Sequence, residues 1–155
     1  MIVGQTGTGK TQYIRRIIKN FKSQFYNLNK EKINVLWAYG QFQLLLDIPI
    51  SDNVNIKYIN HLPDKKIIES FKPDILIIDD LMNQIHKDVN FEEIFTKLSH
   101  HLNFSVFFVL QNCFYQSRSM RTISINQHYI ILFKNTRDKT QINTIARQMY
   151  PSNVS

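Results

Sequence analysis

Cysteine is almost absent. The 155 residues contain one, Cys113, which excludes an internal disulfide framework and suits a reducing compartment. No apolar run approaches the ~20 residues that a membrane-spanning helix needs; Phe104–Leu110 is the length of a buried strand. The opening Met1-Ile2-Val3-Gly4-Gln5 lacks the basic flank and long apolar core of a signal peptide. The five histidines are scattered apart from His100-His101, and no Cys/His spacing resembles a metal site, so they read as surface or core residues. These absences predict a soluble intracellular protein with no membrane partner. Glycine is scarce too, and three of the chain's four fall within eight residues.

The length fits one domain, 1–155, with no repeat, linker or low-complexity tract. The net charge of +7 points toward polyanionic partners, with solubility alone as the plainer reading. Short apolar runs recur at Ile33–Ala38, Val54–Ile59, Ile75–Ile78, Phe104–Leu110 and Tyr129–Phe133, with little apolar–polar alternation, as expected for strands covered on both faces. Helical spacing lies between them. Ile14, Ile17, Ile18 and Phe21 form one stripe, and Phe91, Ile94, Phe95, Leu98 and Leu102 a second, with Asn90 and Glu93 placed as its cap. Ile142, Ile145, Ala146 and Met149 form a third, with Asp138 and Gln141 as a capping pair. The three stripes are expected to face a core. The alternation predicts a three-layer α/β fold with a mainly parallel central sheet flanked by helices.

The clustered glycines belong to Gly4-Gln5-Thr6-Gly7-Thr8-Gly9-Lys10-Thr11, a complete G-x-x-x-x-G-K-[ST]. Backbone N–H groups must converge on phosphate oxygens, and glycine permits the tight curvature and close approach. Lys10 brings positive charge to the β- and γ-phosphates, and the Thr11 hydroxyl is a ligand for Mg²⁺. A short strand, Met1-Ile2-Val3, leads in, and an amphipathic helix opening at Thr11 leads out with its positive dipole end toward the anion.

A second motif is Asp74-Ile75-Leu76-Ile77-Ile78-Asp79-Asp80, an apolar strand ending in two acids. One carboxylate suits the waters around Mg²⁺ and its neighbour suits activation of an attacking water. Asp79 is assigned to the metal and Asp80 to water activation, with the reverse assignment left open. Gln111 closes the Phe104–Leu110 strand, and in a parallel sheet it shares the carboxyl edge where ligands bind, within reach of a γ-phosphate or the lytic water. A polar strand terminus is its plainer reading.

This succession of phosphate loop, acidic strand and strand-terminal glutamine resembles the HerA/FtsK superfamily of P-loop DNA-translocating ATPases. The nearer resemblance is to the genome-packaging ATPases of Polinton/Maverick elements and adintoviruses, related to those of poxviruses. It is carried by Leu36-Trp37-Ala38-Tyr39-Gly40-Gln41-Phe42-Gln43, Ile77–Met82, Leu110-Gln111-Asn112, Arg121–Asn126, Leu132–Asp138 and Ile145–Pro151. The resemblance implies ATP hydrolysis with Mg²⁺ in a homo-oligomeric ring around double-stranded DNA, contacted through its backbone, with a capsid protein as a further partner. It also implies an arginine finger donated by a neighbouring subunit. Arg121 is the first candidate and Arg118 the second, both in the loop expected after Gln111; Arg137, after the last strand, is the third. It implies a location inside an infected or host cell, or association with a virion.

The chain departs from that pattern in its short first strand, its stop at Ser155 and Asp80 where many relatives carry glutamate. A compact version or a fragment of a longer gene product is expected. The competing functions are a nucleoside or nucleotide kinase, with Arg118–Arg121 in a lid, and a nucleotide-binding domain without turnover. A GTPase is disfavoured because no Asn-Lys-x-Asp occurs, and an ABC-type ATPase because Leu-Ser-Gly-Gly-Gln is absent.

Overall fold

The apolar runs form the centre of the molecule. The computed structural model describes residues 1–25, 28–85, 97–112, 118–134 and 140–150. Among the described residues, six strands make one sheet: β1 (Ile2–Val3), β2 (Ile33–Tyr39), β3 (Val54–Ile59), β4 (Ile75–Asp79), β5 (Ser105–Leu110) and β6 (Ile131–Leu132). Their order is β3-β2-β4-β5-β1-β6, and every pairing is parallel. The helical elements are α1 (Lys10–Lys19), α2 (Phe21–Gln24), α3 (Lys65–Phe71), α4 (Met82–Ile85), α5 (Ser99–Leu102), α6 (Arg118–Ile125) and α7 (Thr140–Met149), with a 3-10 turn at Leu44–Asp47.

Alternate residues along each strand enter different layers. Ile2, Trp37, Ile75, Ile77 and Val109 meet Ile14 and Ile18 of α1 on one face. Leu36, Ala38, Leu76, Ile78 and Phe108 meet Ile68 of α3, Ile85 of α4, Ile123 of α6 and Ile145 of α7 on the other. All five residues of β4 are buried, and this central strand reads as Ile and Leu up to its last residue, Asp79. The fold is therefore a three-layer α/β sandwich, as the alternation of strand and helix patterns predicts.

Several sequence expectations need correction. The first stripe does not run through one helix: α1 stops at Lys19, and Phe21 belongs to the separate turn α2. Asn20 ends α1, since its side-chain amide and backbone N–H both donate to the Arg16 carbonyl, and the backbone N–H also reaches Ile17. In the second stripe Leu98 packs against the core but Leu102 is exposed, just before Asn103 turns the chain with φ 54°. Phe91, Ile94, Phe95 and the Asn90–Glu93 cap lie outside the described residues. In the third stripe Ile145 is buried and Ile142 is exposed, while Asp138 lies outside the described residues. Periodicity tells which residues share a helix face; the neighbours decide how much of that face is covered. The segment after Gln111 that contains Arg118 and Arg121 is also not simply a loop. Both residues fall in α6, a segment without Gly or Pro that is anchored by the fully buried Ile123. Among the described residues, no helix is long and apolar enough to cross a membrane.

Candidate active site

The carboxyl ends of the parallel strands share one edge of the sheet, and the sequence places its chemistry there. The ladder from β5 to β1 continues past Val3, with the Gly4 N–H donating to the Leu110 carbonyl at 3.1 Å. The chain then turns sharply. Thr8 donates to the Gln5 carbonyl through both its backbone N–H (3.3 Å) and its hydroxyl (2.8 Å). Gly9 immediately precedes α1 with φ 93°, a left-handed conformation open to glycine at little cost. The Lys10 ammonium folds back across the loop and donates to the carbonyls of Gly4 (2.5 Å) and Gln5 (2.9 Å). Burial lowers the Lys10 pKa, and the negative charges of Asp79 and Asp80 oppose that shift. Lys10 thus sits within electrostatic reach of both acids.

Asp79 is the last residue of β4, in register with Tyr39 and Val109. Its place in the strand's alternation puts it on the Ile75–Ile77 face, the side on which α1 packs. Only 6% of the residue is exposed, and burial pushes its carboxyl up to about 6, with the charge of Asp80 adding to the rise. The Trp37 indole and the Lys10 charge act in the opposite direction. The indole N–H faces the carboxyl without reaching hydrogen-bond geometry, and it is the buried side-chain donor left with no partner among the described residues.

Asp80 leaves the strand with φ 57°, which is uncommon for a residue with a Cβ and here turns the chain directly beside the site. Its backbone N–H donates to the Val109 carbonyl at 3.3 Å, and its Oδ2 accepts from Nε2 of Gln111 at 3.1 Å. Gln111 follows β5, which lies between the loop-bearing β1 and the acid-bearing β4. The glutamine therefore stands between the Gly4–Thr11 loop and the two acids.

Residues that the motif reading did not assign complete the arrangement. Gly40, the one glycine outside the loop, donates its N–H to the Asp79 carbonyl at 2.8 Å. A Cβ at Gly40 would overlap the Asp80 carbonyl oxygen, so the close approach requires glycine. Gln43 accepts the Thr11 hydroxyl proton on Oε1 at 3.0 Å. The sequence signal for Gly40 is its position at the end of an apolar strand in a glycine-poor chain; Gln43 and Trp37 carry no comparable local signal. Of the arginine candidates, Arg118 and Arg121 are placed only by the backbone of α6, their side chains lying outside the described set, and Arg137 lies outside the described residues.

Among the described residues the site has oxygen donors of the type that Mg²⁺ prefers: the Thr11 hydroxyl and the buried Asp79 carboxylate. Burying a carboxylate is costly, and a cation beside it would offset that cost. No protein-family model matches the chain, and no curated protein matches it in sequence.

Proposed function

We propose that this chain is a Mg²⁺-dependent ATPase that couples hydrolysis to movement along double-stranded DNA, packaging viral or transposon genomes. The observation that carries the enzymatic part is one constellation: Lys10 within electrostatic reach of Asp79 and Asp80, with Gln111 bonded to Asp80 between the two motifs. Gly4–Thr11 wraps the triphosphate with backbone N–H groups, and Lys10 exchanges its Gly4 and Gln5 carbonyl partners for phosphate oxygens. Thr11 and Asp79 would hold Mg²⁺, which when bound would neutralise charge on the β- and γ-phosphates.

Asp80 accepts a proton from water as the water oxygen bonds to the γ-phosphorus and the bond to the β–γ bridging oxygen breaks, giving ADP and phosphate. Gln111 orients Asp80 and the water through its amide. Arg121, with Arg118 and Arg137 as alternates, supplies the finger to a neighbouring subunit in a homo-oligomeric ring.

The DNA part rests on the net charge of +7 and on exposed cationic side chains such as Arg16, Lys19 and Lys22, which suit phosphate contacts without base reading. It rests also on the resemblance of the strand-end segments to packaging ATPases, which carries with it a capsid partner and an intracellular setting. The deciding experiment measures ATP turnover with and without duplex DNA while recording the assembly state. DNA-stimulated turnover in an oligomer supports the reading; a phosphorylated nucleoside product would replace it with the kinase, and nucleotide binding without turnover would reduce it to a binding domain.

A further inference from the structure

The turn after β2 ties together the two sides of the proposed site. At its start, the Gly40 N–H is bonded to the carbonyl of Asp79; three residues later, Gln43 Oε1 accepts the Thr11 hydroxyl at 3.0 Å. The turn is anchored independently of these contacts. The Gln43 carbonyl accepts from the Leu46 N–H at 2.9 Å, and Leu46 is buried in the layer that contains α1. Arg15, buried one helical turn beyond Thr11, donates from Nη2 to the Ile48 carbonyl at 2.6 Å and lies against the Tyr58 hydroxyl. A buried guanidinium is costly unless its N–H groups are used, so this contact fixes the turn onto α1.

A hydroxyl has one proton and two lone pairs. When its oxygen serves a cation, its proton needs another acceptor. We infer that Gln43 is a positioning residue for the metal-binding hydroxyl: it takes the Thr11 proton and leaves the oxygen lone pairs available to Mg²⁺. The inference rests on the nucleotide-binding reading above and adds a residue and a role to it.

The test is calorimetric titration of the full chain with the non-hydrolysable imido analogue of ATP, with Mg²⁺ and with a chelator, for wild type, Gln43→Met and Gln43→Glu. Methionine keeps the volume and removes the acceptor; glutamate keeps an acceptor. The expected result is that methionine lowers the Mg²⁺-dependent gain in affinity about 10-fold, the scale of lost support around a metal ligand. Affinity in chelator should stay unchanged, and glutamate should retain the gain. An unchanged gain in Gln43→Met, an equal loss with and without Mg²⁺, or a Gln43→Glu variant as impaired as methionine would each overturn the inference while leaving nucleotide binding standing. If wild type itself shows no Mg²⁺-dependent affinity, the inference and the nucleotide reading fall together.

Discussion

Gln111 donates its side-chain amide to Oδ2 of Asp80 across 3.1 Å, joining the ends of two neighbouring parallel strands at the sheet edge that also carries the Gly4–Thr11 loop. Asp80 is thereby oriented by a partner from β5, while the chain turn that presents it depends on φ 57° and on the absence of a side chain at Gly40. The proposed water-activating group is therefore held from both sides by residues far away in sequence.

Asp80→Asn should leave nucleotide affinity within a few-fold of wild type and lower turnover by about 10²–10⁴, the range for a lost general base. Gln111→Leu should lower turnover by a smaller factor, since Asp80 keeps its backbone bond to Val109. Steady-state ATPase assays paired with nucleotide titration check both; wild-type turnover in Asp80→Asn would remove Asp80 from the mechanism.

Lys10→Ala should abolish hydrolysis. Its ammonium is the cation bonded to the inner carbonyls of the loop, and alanine leaves those carbonyls without it. Turnover comparable to wild type would break the assignment of the loop.

Asp79→Asn should stabilise the metal-free fold at pH 7 while weakening Mg²⁺-dependent nucleotide binding. Burial raises the Asp79 pKa from 3.8 to about 6, so the folded state holds a proton that the unfolded state has lost. The associated stability is present below pH 3.8 and is lost as pH rises toward 6. At ~1.4 kcal/mol per unit the loss is at most about 3 kcal/mol, and the unused polarity of an amide reduces the net gain to about 1–2 kcal/mol. Urea denaturation from pH 4 to 7, followed through the single buried Trp37, should show the difference between variant and wild type growing with pH. A difference independent of pH would contradict the assignment.

Gly40→Ala should destabilise the protein by about 1–3 kcal/mol, because its Cβ meets backbone rather than a movable side chain. The displaced Asp80 peptide should lower turnover as well. Chemical denaturation and ATPase assays together separate this from a harmless surface change.

Duplex DNA should stimulate turnover, and its affinity should fall steeply with salt, each neutralised phosphate contributing about 0.9 to the logarithmic slope. Fluorescence anisotropy at several salt concentrations measures that slope; salt-independent binding would count against backbone contacts.

Read alone, the sequence determined the glycine-bounded turn before α1, the acidic strand and the layered α/β arrangement, because each is written in local spacing. Glycines clustered around Lys10 mark a turn, and an unbroken Ile75–Ile78 run marks a strand covered on both faces. The strand order was decided only in three dimensions. It inserts β5 between β1 and β4, and so makes Gln111, at the end of β5, a neighbour of Asp80. The contact of Gln43 was likewise out of reach, since a hydrogen bond across about 30 residues, Thr11 with Gln43, leaves no period in the chain. Exposure at Leu102 and Ile142 followed the same logic: spacing tells which side chains share a face, and only the packed neighbours tell whether anything covers it.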